Sequence, residues 1–188
     1  MPNLREQLQQ LLQGHVCVMG LGNVAYGDDG FGVRLAEELK AEVRRPKAER
    51  SPNSEGRSEA LSESALDCGH QIQIIVAGTT PEWWISRVTD EGFDQLIFLD
   101  AVEFGGLPGS VVFLNAGEMT ARFPQMSTHK ISLGLLAKWA EANGTTRAWL
   151  LGVQPESLKP GGELTPAVQA TLELLRELVR EITLEVMA

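Results

Sequence analysis

Apolar positions along the chain alternate between helical and strand-like spacings. Leu4, Leu8, Leu11 and Leu12 recur at helical spacing, which predicts a first amphipathic helix ended by Gly14. His15-Val-Cys-Val-Met19 reads as a buried strand running into Gly20-Leu-Gly-Asn23 and Tyr26-Gly-Asp-Asp-Gly30. Phe31, Leu35, Leu39 and Val43 mark a second helix, with Asp28 or Asp29 placed to cap it. Gln71–Val76 alternates and then turns apolar, as a strand does. Thr80-Pro-Glu follows, with Thr80 as N-cap and Pro81 at the first position of a helix that carries Trp83, Trp84, Ile85 and Val88.

Leu96-Ile-Phe-Leu-Asp100 is a short apolar run closed by an acid, the pattern of a central parallel strand. Gly105-Gly-Leu-Pro-Gly109 is a turn, and Val111–Leu114 another strand. Ser127 or Thr128 is the expected cap of a helix carrying Leu133, Leu136, Trp139 and Ala140, stopped by Asn143-Gly144. Trp149–Val153 is a last strand, and Val168, Leu172, Leu175, Val179 and Ile182 give a final helix. Strands alternating with helices predict one open α/β sheet covered on both faces, whose functional groups gather at the carboxyl ends of the strands.

One stretch breaks the pattern. From about Arg44 to Gly69 the chain is rich in Ser, Glu, Arg, Pro and Asn and poor in large apolar residues. Such a composition cannot bury enough surface to offset its ordering entropy, so it reads as a mobile insert in a single domain, with a weak helix around Ser58–Leu66. Composition narrows the function classes. The net charge of -9 argues against a nucleic-acid partner, and no apolar run approaches the roughly 18 residues of a membrane span. The polar N-terminus lacks the apolar core of a signal peptide. Cys17 and Cys68 form no CxxC pair, which suits reduced thiols in a cytoplasmic protein.

Three residues could carry chemistry. Asp29 follows the first strand, Asp100 closes the third, and His129 begins the helix after the Arg122–Met126 loop. Two carboxylates and an imidazole suit a divalent transition metal such as nickel or zinc, and three protein ligands leave positions open for a substrate. A helix N-terminus would keep His129 neutral and able to coordinate. Each residue also has a plain structural reading: Asp28 and Asp29 as N-caps, Asp100 as a turn cap, His129 as a surface residue.

Gly20-Leu-Gly-Asn-Val-Ala25 matches a relaxed dinucleotide fingerprint, which makes a Rossmann-like nucleotide-binding protein the alternative reading. Asp28 and Asp29 argue against it, because two carboxylates at a helix N-terminus would repel a pyrophosphate. The second strand also ends in Val76-Ala-Gly-Thr, with no acid to hold a ribose hydroxyl. A GxSxG elbow and an HExxH zinc motif are both missing from the sequence.

Taken together, Gly20-Leu-Gly-Asn23 with Gly27-Asp-Asp-Gly-Phe-Gly-Val33, Gly78-Thr-Thr-Pro-Glu82, Leu96-Ile-Phe-Leu-Asp-Ala101, Ser127-Thr-His-Lys130, Leu151-Gly-Val-Gln-Pro-Glu-Ser157 and Leu164-Thr-Pro-Ala-Val168 resemble, in order, the maturation endopeptidases of nickel–iron hydrogenases. The resemblance implies a doubly wound α/β fold on an open, mostly parallel five-stranded sheet. It implies a cytoplasmic endopeptidase that removes a C-terminal extension from the nickel-loaded large-subunit precursor of a hydrogenase. The family's three metal-binding positions match Asp29, Asp100 and His129, with Asp29 and Asp100 also the candidate catalytic carboxylates. The nickel would arrive with the substrate. One departure stands out: Val76-Ala77 occupy the place where the family usually carries an Asp. A chaperone that binds the precursor without cutting it is therefore a further alternative.

Overall fold

The structure, a computed structural model, describes residues 3–43, 71–123 and 131–186. The expected insert at about 44–69 and its weak helix lie outside the described residues, as do Cys68, Ser127, Thr128 and His129.

Helix α1 (Leu4–Leu11) opens the chain and is closed at its start by a capping box between Asn3 and Glu6. Strand β1 (His15–Leu21), a short 3₁₀ turn (Gly27–Gly30) and helix α2 (Phe31–Val43) follow. Then come β2 (Gln71–Gly78), α3 (Glu82–Glu91), β3 (Gln95–Ala101), β4 (Val111–Asn115), α4 (Ala116–Arg122), α5 (Leu133–Ala140), β5 (Arg147–Val153) and α6 (Pro166–Val186). The five strands form one sheet in the order β2-β1-β3-β5-β4. All pairings are parallel except β4 against β5. The expected open, mostly parallel α/β sheet is what forms.

Strand alternation divides the core in two. Val16 and Val18 of β1, Ile97 and Leu99 of β3, and Leu151 and Val153 of β5 pack with α1, α2 and α6. Cys17 and Met19, Leu96 and Phe98, and Ala148 and Leu150 point the other way, into α3, α4 and α5. Central strands buried on both faces must be apolar at nearly every position, which is why β1 and β3 read as continuous runs.

Several local expectations change. Thr80 does not cap α3: Pro81 is the residue before the helix, and no side chain closes that end. Of the paired tryptophans, Trp84 packs partly buried against the core while Trp83 is exposed. Helix α5 begins at Leu133, capped by the Ser132 side chain, and not at Ser127 or Thr128. Helix α4 was not anticipated, although Asn115 and Glu118 form a capping box around its first turn.

Candidate active site

The site begins with close packing at two glycines. A Cβ on Gly32, in the first turn of α2, would sit 2.0 Å from the Leu99 carbonyl oxygen of β3. A Cβ on Gly22, whose φ is +110°, would sit 1.8 Å from the Asp29 carbonyl oxygen. Only glycine lets the start of α2 rest directly on the strand backbones and the 3₁₀ turn fold back over the end of β1. Both glycines of the dinucleotide-like pattern receive the chain's own backbone, since a Cβ on Gly20 would likewise sit 2.4 Å from the Gly32 carbonyl oxygen. They account for the pattern without a nucleotide.

This packing puts the 3₁₀ turn at the carboxyl ends of β1 and β3. In the order β2-β1-β3 the chain leaves β1 in opposite directions, so this is the topological switch point of the sheet. Asp29 and Asp100 both lie there, with relative exposures of 4% and 2%. One Asp29 oxygen accepts from the Asn23 backbone N–H at 2.9 Å, and Asp100 Oδ1 accepts from the Ala101 N–H at 2.9 Å. Gly22 joins them: its missing Cβ would lie against Asp29 and 3.7 Å from Asp100 Oδ1. A cleft of about 280 Å³ opens beside Asp29, lined also by Asn23, Tyr26, Thr79 and Leu158.

Asp28 has a different task. Its carboxylate accepts from the backbone N–H groups of Glu156 at 2.8 Å, Ser157 at 3.0 Å and Thr165 at 2.7 Å. It also accepts from the Thr165 hydroxyl at 2.9 Å. The Asp28 N–H donates to the Ser157 carbonyl at 3.0 Å, and Gly27 and Gly161 are linked in the same way at 2.6 Å. Asp28 is thus no helix cap. It clamps the β5–α6 connection, which carries Leu158 of the cleft wall, onto the turn that carries Asp29. Arg34 adds a bond to the Gly162 carbonyl from α2.

Gln154 is a second organiser that sequence reasoning passed over, although it stands inside the Gly-Val-Gln-Pro-Glu-Ser run. Its Oε1 accepts from three successive backbone N–H groups, Phe104 at 2.9 Å, Gly105 at 3.0 Å and Gly106 at 3.1 Å. That amide fixes the connection leaving β3 just beyond Asp100. At the end of β2, Val76 packs partly buried against one core cluster and Ala77 is buried in the other. No acid stands at that strand end, and Thr79 forms the cleft wall instead.

Among the described residues no three His, Cys, Asp or Glu side chains form a group able to hold a metal. Asp29 and Asp100 are the two described members of the expected set, and His129 lies outside the described residues.

The family model for hydrogenase maturation proteases matches residues 56–182. The chain belongs to the hydrogenase maturation protease family. The hydrogenase expression/formation protein HupD of Rhodobacter capsulatus is 29% identical over 173 residues, covering 89% of this chain and 70% of that protein. The hydrogenase 2 maturation protease of Escherichia coli (strain K12) is 27% identical over 162 residues, 84% of each chain. The crystal structure of the [NiFe] hydrogenase maturation protease HycI from Thermococcus kodakarensis superposes with a TM-score of 0.71 at 26% identity, covering 94% of this chain and 97% of that one. The hydrogenase maturating endopeptidase HybD from E. coli gives 0.65 at 26% identity, covering 91% and 93%. This hydrogenase maturation protease is a peptidase, a hydrolase, and the nucleotide-binding reading gives way to that activity. No helix among its described residues is long and apolar enough to cross a membrane.

Proposed function

We propose that the protein acts in the cytoplasm on the large-subunit precursor of a nickel–iron hydrogenase, removing a C-terminal extension once nickel has been loaded. The observation that carries this reading is the meeting of Asp29 and Asp100 around Gly22, at the switch point of the sheet and beside a cleft. Nickel arrives as part of the substrate, held by the precursor's own ligands. Asp29, Asp100 and His129 complete its coordination, two carboxylates and an imidazole being an apt donor set for a divalent transition ion.

Anchoring the metal also fixes the scissile peptide beside the cleft, and fixed geometry removes much of the entropic part of a barrier. One of the two carboxylates then orients the attacking water as general base, in the manner of an aspartyl endopeptidase. Asp28 and Gln154 take no proton in this scheme. They hold the two connections that shape the site.

The test is the intact mass of a cognate precursor after incubation with the protein, with and without nickel loading. Loss of a C-terminal peptide only from the loaded form, abolished by His129→Ala, is the expected result. An unchanged mass for the loaded precursor despite complex formation would sink the reading and leave a chaperone in its place.

A further inference from the structure

Among the described residues, five of the seven exposed large apolar side chains gather at one edge, the exceptions being Trp139 near the end of α5 and Leu174 in α6. Val24 and Tyr26 follow β1, and Trp83 lies in the first turn of α3 just after β2. Leu107 lies in the connection between β3 and β4, and Leu135 in the first turn of α5. Each of these positions is at the carboxyl ends of the parallel strands, because the helices run back antiparallel to them. Trp83 and Leu107 are 78% and 80% exposed, far more than packing within one chain requires of such residues. Single apolar residues on a surface need no explanation, but a set gathered at one edge does.

The occupant of this edge follows from the cleft. At about 280 Å³ it admits only a short length of chain. Selecting one protein substrate takes a larger contact, on the order of 800 Å² per partner in a stable complex. The exposed set meets the cleft at Tyr26, which belongs to both, and Trp83 follows the lining residue Thr79 by four positions in the chain.

We infer that this apolar rim docks the folded body of the hydrogenase precursor whose tail enters the cleft, with Trp83 and Leu107 as its anchors. The inference rests on the processing reading above and adds the surface that recognises the substrate. An exposed Trp at such a rim acts in association, since Trp is among the side chains that carry a disproportionate share of interface energy, and Leu107 adds apolar area to the contact.

The test is steady-state cleavage of the nickel-loaded precursor by Trp83→Ser, Leu107→Ser and their double variant, with Leu174→Ser as control. Leu174 is 71% exposed but lies midway along α6, away from the rim. The expected result is a KM raised about tenfold or more for the rim variants, with the loss confined to KM and none in the control. Wild-type KM in all three rim variants would overturn the inference while leaving the processing reading intact. So would a wild-type dimer in sedimentation that Trp83→Ser dissociates without any change in KM. A wild-type protein that neither binds nor shortens the precursor would remove both.

Discussion

At the amino ends of the strands, Thr146 donates to the Phe93 carbonyl at 2.8 Å and Asp94 accepts from the His15 N–H at 2.9 Å. Trp149 Nε1 donates to Gln95 at 2.8 Å in the same region. Each of these bonds ties one strand entry to its neighbour. At the carboxyl ends, four polar side chains are buried within a few residues of strand termini: Asp28, Asp29, Asp100 and Gln154. Two of them, Asp28 and Gln154, are saturated with donors from connections far away in sequence. The other two both lie close to Gly22, Asp29 through its backbone carbonyl and Asp100 through Oδ1, and Asp29 lines the cleft. Burying a carboxylate is costly unless its environment is built for it. The amino edge uses polar groups to close the fold, whereas the carboxyl edge uses Asp28 and Gln154 to hold Asp29 and Asp100 in a place the fold alone would not favour.

Substitutions can break this contrast in order of size. Gly32→Ala should be the most damaging, because the new methyl meets the Leu99 carbonyl and not a side chain that can move. A stability loss of more than about 3 kcal/mol in urea unfolding is expected. Asp28→Asn keeps the shape but turns one oxygen into an NH₂ aimed at donors, so a loss of about 3 kcal/mol should appear in the same titration. Gln154→Leu strands three N–H groups and should cost about 2 kcal/mol, with faster hydrogen exchange at Phe104, Gly105 and Gly106. Thr146→Val, at the amino edge, loses the hydroxyl's bond to the Phe93 carbonyl and should cost about 1 kcal/mol.

Local sequence made part of this legible. Val16–Met19 and Leu96–Leu99 are buried on both faces of the sheet, so their own composition marks them as central strands whatever surrounds them. Helix α6 keeps Val168, Leu172, Leu175 and Ile182 on one buried stripe, which periodicity alone reports. The role of Asp28 beyond a helix cap is not legible, because it rests on the approach of Glu156, Ser157 and Thr165, more than a hundred residues away. Gln154 escaped for the same reason. Its role exists only once the β3–β4 connection is folded against β5. The start of α5 was misjudged for a more local cause: Ser127, Thr128 and Ser132 are equivalent caps on paper, and packing of Leu133 and Leu136 selects Ser132. The capping box at Asn115 was readable and its signal was simply short.

Asp29→Asn set beside Thr146→Val tests the division between the two edges most directly, with urea stability and nickel-dependent precursor cleavage measured on both. Asp29→Asn keeps an oxygen for the Asn23 N–H, so the chain should stay folded while cleavage is abolished. Thr146→Val should lose stability while cleaving at the wild-type rate per folded molecule. Full cleavage by Asp29→Asn, or cleavage lost in Thr146→Val while the chain stays folded, would contradict the assignment of chemistry to the carboxyl edge.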